Sequence, residues 1–251
     1  MYLSRVELNE YRRETMRAMD SPQVMHAAVM ASFGSFGEGS GQRVLWRIDR
    51  LGCAVYLLVQ SAARPDFTHI VEQFGRPATG QGWDTVEYDG HIGKMVDGSV
   101  WRFRLRANPV HSVKGDADRG KVRGHVTAEQ QLSWLKERAG KLGFAVESDD
   151  GTLGVQIVQR EVKKFNRQGK TVTLTVVTYE GVLRITDSAL FADAMRNGIG
   201  RGKAYGCGLI TTMGLRCTAR RSRSCRSYLA SGTGCPSSTW STAGSAARTA
   251  P

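Results

Sequence analysis

The sequence predicts an α+β fold built from two successive β-α-β-β-α-β units. Two observations support this prediction. Stretches with alternating apolar residues recur through the first 215 residues, and helical stretches with clear start signals separate them in the same order twice. The apolar content of 41% also leaves enough material for a buried core in a chain of 251 residues. We therefore expect two tandem ferredoxin-like (RRM-like) domains, over residues 1–92 and 93–215.

The first unit begins with the alternating stretch YLSRVEL, which predicts a strand over residues 2–8. Asp20 or Ser21 then caps a helix, Pro22 suits its first turn, and Gly34 ends it. Two strands with a short turn between them, a second helix and a last strand complete the unit, and we expect these elements over 43–48, 54–60, 66–73 and 83–88.

The second unit begins with SVWRFRLRAN, which alternates strictly and predicts a strand over 99–108. Thr127 and Gln130 form a capping box that opens the next helix. Two β-rich stretches separated by NRQG predict a long hairpin, and Asp187 caps the helix SALFADAMRN. The hairpin strands and the last strand, CGLITTM, are expected over 154–165, 170–185 and 207–213.

The charge of the chain indicates a polyanionic partner. The formal net charge is +12 and the isoelectric point is near 9.8, which is typical of proteins that bind nucleic acid or an anionic membrane. A solvated basic surface is the alternative. No apolar run is long enough to span a membrane, and five scattered cysteines match no zinc pattern, so we expect a cytoplasmic protein that has no membrane partner and no metal centre.

Residues 216–251 differ from the rest of the chain. They contain six arginines, no acidic residue and no periodic pattern, and they are rich in Ser, Thr, Gly and Ala. This composition predicts a disordered basic tail. A shifted reading frame or a cloning scar is an alternative origin for the segment, which would make it non-native.

The stretch RNGIGRGKAYGCGLI concentrates glycine beside cations. A P-loop would need a hydroxyl residue after Lys203, where Ala204 stands, and it would lie between a strand and a following helix, which is the reverse of the predicted order. We therefore expect no nucleotide cofactor. Either the glycines let a helix and a strand pack closely, or the loop lies against a nucleic-acid backbone. In the second case the contacting residues are Gly198, Gly200, Arg201, Gly202, Lys203, Gly206 and Gly208.

Two further basic features favour nucleic-acid binding. Alternation along WRFRLRAN places Arg102, Arg104 and Arg106 on one face of a strand, where their like charges call for a partner. The partner is either a neighbouring acidic strand or a phosphate backbone. The hairpin tip adds four cations that suit a groove of a nucleic-acid helix, or that discourage aggregation at an edge. These cations are Lys163, Lys164, Arg167 and Lys170.

Histidine is the candidate for chemistry. His26 lies within the first predicted helix among Met25, Val29 and other apolar residues, where a histidine without function is common. The sequence shows no HExxH motif, no paired carboxylates and no acidic clusters for a two-metal mechanism. If the protein is a nuclease, this leaves metal-free RNA cleavage, in which a histidine deprotonates the 2′-hydroxyl or protonates the leaving 5′-oxygen and a cation stabilises the transition state.

Five stretches together resemble the CasE endoribonucleases, the CRISPR repeat-processing subunits of type I-E Cascade complexes. They occur in the family's order over residues 1–215: MYLSRVELN, FRLRANP, VTAEQQLSWL, YEGVLRITD and GIGRGKAYGCGL. The resemblance implies a nuclease that binds the stem-loop repeat of precursor CRISPR RNA. It cleaves at the 3′ base of the stem without metal, leaves a 2′,3′-cyclic phosphate and a 5′-hydroxyl, and joins other Cascade subunits.

The resemblance also implies roles for particular residues. The family's catalytic histidine falls on His26, its glycine-rich loop on Gly198–Gly208 and its groove-binding hairpin on residues 160–170. Several members have a tyrosine where this chain has Gln23, which can hydrogen-bond a 2′-hydroxyl but accepts a proton poorly. We therefore expect either that His26 works with Lys203 or that Tyr205 supplies the phenol. A non-catalytic subunit that holds the guide RNA hairpin is the alternative function.

Overall fold

The computed structural model of the chain describes residues 1–34, 43–77, 82–113, 121–146, 154–167 and 169–215. All of these residues belong to one compact unit, Met1–Arg216. The predicted tail over 216–251 lies outside the described residues. None of the helices in the described ranges is long and apolar enough to cross a membrane.

The first unit forms a four-stranded antiparallel sheet in the order β2-β3-β1-β4. This order is the one expected for a β-α-β-β-α-β unit, so the predicted topology is confirmed. The sequence analysis did not predict the first helix or the short fourth one. The elements are β1 Tyr2–Leu8, α1 Arg13–Asp20, α2 Pro22–Ala31, β2 Leu45–Leu51, β3 Ala54–Ser61, α3 Thr68–Phe74, β4 Trp83–Glu87 and α4 Asp89–Ile92.

The second unit repeats the arrangement, with β11-β5-β10 in the sheet and both β8 and β9 pairing with β10. Strands β8 and β9 thus share the place of the second strand. A separate small hairpin, β6–β7, follows β5. The elements are β5 Val100–Ala107, β6 Val110–Val113, β7 Lys121–Gly124, α5 Ala128–Lys141, β8 Phe144–Ala145, β9 Val155–Arg167, β10 Lys170–Ile185, α6 Ser188–Asn197, a 3₁₀ turn Lys203–Tyr205 and β11 Ile210–Gly214.

Local signals begin two of the helices as predicted. The Thr127 hydroxyl accepts a hydrogen bond from the Gln130 backbone amide. The Gln130 side chain in turn accepts one from the Thr127 backbone amide, which completes the capping box. The Asp187 carboxylate accepts from the Leu190 amide at 2.9 Å. Ser21 makes no side-chain cap bond to α2, so the fixed φ of Pro22 is the local signal that remains there.

Each unit buries its own apolar cluster between sheet and helices. The first cluster includes Val6, Leu57 and Ile70, and the second includes Leu105 and Phe191. The second cluster also takes in side chains from the N-terminal part of the chain, namely Leu3, Tyr88 and Ile92. Packing is therefore continuous across residue 92, and the division into domains 1–92 and 93–215 stays a prediction.

Candidate active site and nucleic-acid interface

The glycine segment, Gly198–Gly208, combines left-handed backbone at all five glycines with close packing at four of them. All five of its glycines have positive φ, between 74° and 92°. A Cβ atom at Gly206 would lie 2.7 Å from Cζ3 of Trp46, and one at Gly198 would lie 2.8 Å from Cδ1 of Leu45. The glycines thus let the segment lie directly against the start of β2. Contact with a nucleic-acid backbone, the other role considered for these residues, stays a prediction.

Helix α2 lies against the turn Lys203–Tyr205 and also contacts β9. It buries Met25 and Val29 in the first core, whereas Gln23 is exposed and His26 is half-buried at the border between the two faces. Two segments from opposite ends of the chain therefore meet, one with the predicted catalytic histidine and the other with the predicted catalytic lysine.

Lys203 lies within the glycine segment and is bonded to the end of α6. Its Nζ donates a hydrogen bond of 2.6 Å to the carbonyl of Asn197, the last residue of α6. Such a contact satisfies one of the carbonyls that a helix leaves unpaired at its C-terminus. Partial burial lowers the pKa of Lys203, and the charge of Arg43 lowers it further, against the opposing effect of Asp193. The ammonium thus lies near a second cation.

Tyr205, the alternative source of a catalytic phenol, is positioned by the hairpin. Its ring lies 4.8 Å from the ring of Phe165 in β9, measured between centroids. Phe165 belongs to a small buried cluster with Leu174, Val176 and Cys207, against which Tyr205 packs. The turn Lys203–Tyr205 within the glycine segment is therefore coupled to the basic hairpin through an apolar contact.

The predicted arginine face of β5 divides into an exposed residue and two that have carboxylate partners. Arg102 is exposed. Arg104 lies 3.1 Å from Glu180 on β10 and 3.5 Å from Asp49 on β2, and Arg106 pairs with a carboxylate of β9. The acidic neighbours considered as an alternative to phosphate are present for two of the three arginines. Binding of RNA by this face stays a prediction.

The basic hairpin β9–β10 also divides its cations. Nζ of Lys163 donates to the Met19 carbonyl at 3.0 Å and lies 3.8 Å from Glu161, so it links β9 to the end of α1. Lys164 and Lys170 are exposed. Arg167 is the last residue of β9, and its side chain lies outside the described part of the structure. Arg201, in the glycine segment, is exposed and forms an isolated backbone bridge with Asn108.

Arg47 is a structural residue that the sequence analysis missed. Its side chain is 1% exposed, and all five of its N–H donors are used. Two bonds of 2.8 and 2.7 Å reach the Asp49 carboxylate, and the others reach the Arg104 carbonyl, the Leu209 carbonyl and the Thr211 hydroxyl. The guanidinium therefore joins β2 of the first sheet to β5 and β11 of the second. Only the three-dimensional arrangement reveals these partners.

Of the other four histidines, one contacts the backbone of α2 and three lie on other elements. Nε2 of His69 lies 2.9 Å from a backbone carbonyl of α2. His91 stacks on Tyr88 and contacts a hydroxyl of β11, and burial lowers the pKa of His91. The rings of His111 and His125 lie beside α5, with 4.6 Å between their centroids. Within the described ranges, no three His, Cys, Asp or Glu side chains are grouped to hold a metal ion.

The fold and this arrangement define a tandem ferredoxin-like α+β protein with a cation-bearing glycine segment beside a histidine helix. A family model described as CRISPR associated protein matches residues 1–213. The chain belongs to this family of CRISPR-associated proteins.

Two curated relatives extend the comparison. The chain is 27% identical over 219 residues to the CRISPR-associated endoribonuclease Cse3 of Thermus thermophilus, covering 84% of this chain and 99% of that protein. It is 30% identical over 168 residues to the Cascade subunit CasE of Escherichia coli, covering 64% of this chain and 74% of that protein.

Solved structures agree with these matches. A Cse3 endoribonuclease bound to a 19-nucleotide RNA superposes with a TM-score of 0.69 at 27% identity, over 85% of this chain and all of that one. Thermus thermophilus Cse3 with an RNA representing a pre-cleavage complex gives the same TM-score and identity, over 84% of this chain and 98% of that chain. Escherichia coli Cas6e, at 23% identity over 86% of this chain and all of that one with a TM-score of 0.58, supports the fold alone.

Proposed function

We propose that the chain is an endoribonuclease that binds the stem-loop repeat of precursor CRISPR RNA and cleaves it at the 3′ base of the stem. Membership of the family and the similarity to the endoribonuclease Cse3 support the class of activity. The observation that carries the proposal for this chain is local. Helix α2, with His26, packs against the turn that begins with Lys203.

The proposed reaction is attack by a ribose 2′-oxygen on the adjacent phosphorus. The new P–O bond closes a 2′,3′-cyclic phosphate, and the bond to the 5′-oxygen breaks. One proton must leave the 2′-hydroxyl and one must reach the 5′-oxygen, which leaves as a 5′-hydroxyl. His26 serves one of these transfers, because imidazole exchanges protons near neutral pH. Metal independence belongs to the proposal, since the reaction needs only an acid, a base and a cation.

The second group in the reaction is a cation or a phenol. Lys203 is well suited to stabilise charge on the phosphoryl oxygens, because partial burial strengthens the field of an ammonium at short range. Tyr205 lies two residues further along the same turn and is an alternative proton carrier. Gln23 is exposed one helical turn before His26, and we propose that its amide hydrogen-bonds the 2′-hydroxyl.

The remaining contacts follow the basic features of the second unit. Exposed Arg102, Lys164, Lys170 and Arg201 are the residues that we propose to contact the RNA backbone, with the hairpin in a groove of the stem. The cleaved hairpin stays bound, and the protein joins other Cascade subunits, as the name of the Escherichia coli relative indicates for that protein. Because the substrate is a transcript, we place the protein in the cytoplasm.

A non-catalytic subunit that only holds the guide RNA hairpin is the second candidate, and Gln23 in place of a tyrosine favours it. One experiment separates the two. The purified protein is incubated with the repeat hairpin of the host's own CRISPR array in EDTA, and the termini of the products are mapped. A single cut at the 3′ base of the stem with a 2′,3′-cyclic phosphate supports the nuclease. Tight binding without products supports the alternative, and a requirement for Mg²⁺ contradicts the metal-free mechanism.

A further inference from the structure

We propose that Arg43 and Lys203 together bind one backbone phosphate of the RNA at the rim of the glycine segment. Arg43 would then be an RNA-contacting residue that neither the sequence patterns nor the comparisons assign. The inference rests on the proposed function and deepens it, because it adds a phosphate site beside the turn that packs against the histidine helix.

The path of β2 places Arg43 at this rim. Leu45 and Trp46 lie directly under Gly198 and Gly206, and β2 contacts the turn Lys203–Tyr205. Arg43 precedes Leu45 by two residues and is exposed. The start of β2 therefore brings a guanidinium to the lysine, while the apolar residues that follow hold the backbone in place.

Arg43 lies close enough to Lys203 for the two charges to interact. The Arg43 charge acts on the Lys203 ammonium and contributes, after burial, to the lowered pKa of Lys203. In the described part of the chain, Arg43 forms no ion pair with a carboxylate. The carboxylate that acts on Lys203 is that of Asp193, which also accepts a hydrogen bond from Nδ2 of Asn197.

This pair differs in that respect from Arg104 and Arg106, whose charges are balanced by glutamates or Asp49. Two neighbouring cations repel each other, and an anion bound between them adds two attractions that outweigh this repulsion. A phosphodiester suits the pair, because a guanidinium offers paired donors to phosphate oxygens and an ammonium acts as a point charge. Helix α2 packs against the same turn, so the bound phosphate lies near the cleavage site.

The test compares Arg43→Gln with Arg50→Gln, a matched control at the other end of β2. Arg50 is exposed and pairs with Glu10, so its replacement removes the same charge away from the proposed site. The probe is the repeat hairpin with a 2′-deoxy nucleotide at the mapped cut, which prevents cleavage. Its affinity is measured from about 50 to 300 mM KCl, a range over which counterion release dominates.

Arg43→Gln should weaken binding about tenfold near 0.1 M salt. It should also make the negative slope of log K against log salt shallower by about 0.7–0.9, the value for one lost phosphate contact. Arg50→Gln should leave the slope unchanged, and Arg43→Lys should have nearly the wild-type slope because it keeps the positive charge. Lys203→Gln should resemble Arg43→Gln, and the double variant should lose less than the sum, because both residues act on one phosphate.

If the wild-type protein binds the hairpin and Arg43→Gln has the same salt slope as wild type, the phosphate site is wrong, while the proposed function still stands. Fully additive losses in the double variant would also overturn the phosphate site, because they would mean two separate contacts. Wild-type protein that neither binds nor cuts the hairpin would remove the proposed function itself, and the phosphate site with it. The urea unfolding midpoint of each variant is measured as a control, to show that every variant is folded under the binding conditions.

Discussion

Two arginines four residues apart, Arg43 and Arg47, show how differently this molecule uses its cations. Arg47 is buried at the junction between the two sheets and uses all of its donors inside the protein. Arg43 is exposed at the rim of the glycine segment, beside Lys203 and without a carboxylate in the described ranges. Cations of the first kind hold the fold together, and those of the second kind are available to an anionic ligand.

The same division runs through the second unit. On β5, Arg104 has acidic partners while Arg102 is exposed. On β9, Lys163 bonds to the Met19 carbonyl while Lys164 is exposed. The formal net charge of +12 therefore does not show which cations can reach RNA. Variants at the junction should change stability, and variants at the rim should change binding or cleavage.

The largest effect is expected at His26, on the rim side of this comparison. His26→Ala should lower the single-turnover cleavage rate by about 10²–10⁴-fold, the range for loss of a general acid or base. The affinity for an uncleavable hairpin should stay nearly unchanged. His111→Ala, which replaces an exposed histidine of β6, is the control and should cleave normally. Wild-type rates in His26→Ala would show that another group carries the proton.

Arg47 should give the next largest effect, and it should appear in stability. Arg47→Met leaves the Asp49 carboxylate, 4% exposed, without its bidentate partner. Breaking a buried pair in this way typically costs about 3–5 kcal/mol. Urea unfolding at constant pH measures the change. Arg50→Met, at the exposed end of the same strand, should change the free energy of unfolding by less than about 1 kcal/mol. Equal losses in both variants would contradict the role of Arg47 at the junction.

Gly206 packs the glycine segment against Trp46 of β2, and Gly202 is a matched control for the cost of replacing it. Both have positive φ, 76° and 82°, so alanine at either position costs about 1–2 kcal/mol from the backbone. A Cβ at Gly206 would also meet Trp46 at 2.7 Å, whereas at Gly202 the nearest atoms lie 3.6 Å away. Gly206→Ala should therefore lose about 1–3 kcal/mol more in urea unfolding. If the two variants lose the same free energy, the contact with Trp46 is not tight.

Local signals account for most of the fold that the sequence predicts. The capping box at Thr127, the cap at Asp187 and the alternation of the strands depend only on neighbours in the chain. Helix α1 escaped prediction because tertiary contacts hold it. Thr15 donates to the Phe74 carbonyl at 2.9 Å, and that bond is invisible in a polar stretch of sequence.

The site is predictable only in part for the same reason. His26 and the glycine segment can be found by resemblance, because their patterns are local. The neutralisation of Arg104 depends on the register that pairs it with Glu180 and on an approach by Asp49 from the other sheet. The position of Arg43 likewise depends on how Leu45 and Trp46 pack under glycines from the far end of the chain. Neither arrangement leaves a local pattern.

The smallest effect, and the finest test of the comparison, is expected within the arginine face of β5. Arg102→Gln should weaken binding of the uncleavable hairpin by less than about tenfold. It should make the negative salt slope shallower by about 0.7–0.9, because an exposed arginine can release one counterion on meeting a phosphate. Arg104→Gln should leave the slope unchanged, since its charge is already balanced by Glu180 and Asp49. Equal slopes for wild type and both variants would mean that the RNA does not touch this face. A shallower slope in Arg104→Gln alone would mean that RNA displaces the carboxylates from Arg104. The division between structural and ligand-binding cations would then be wrong for β5.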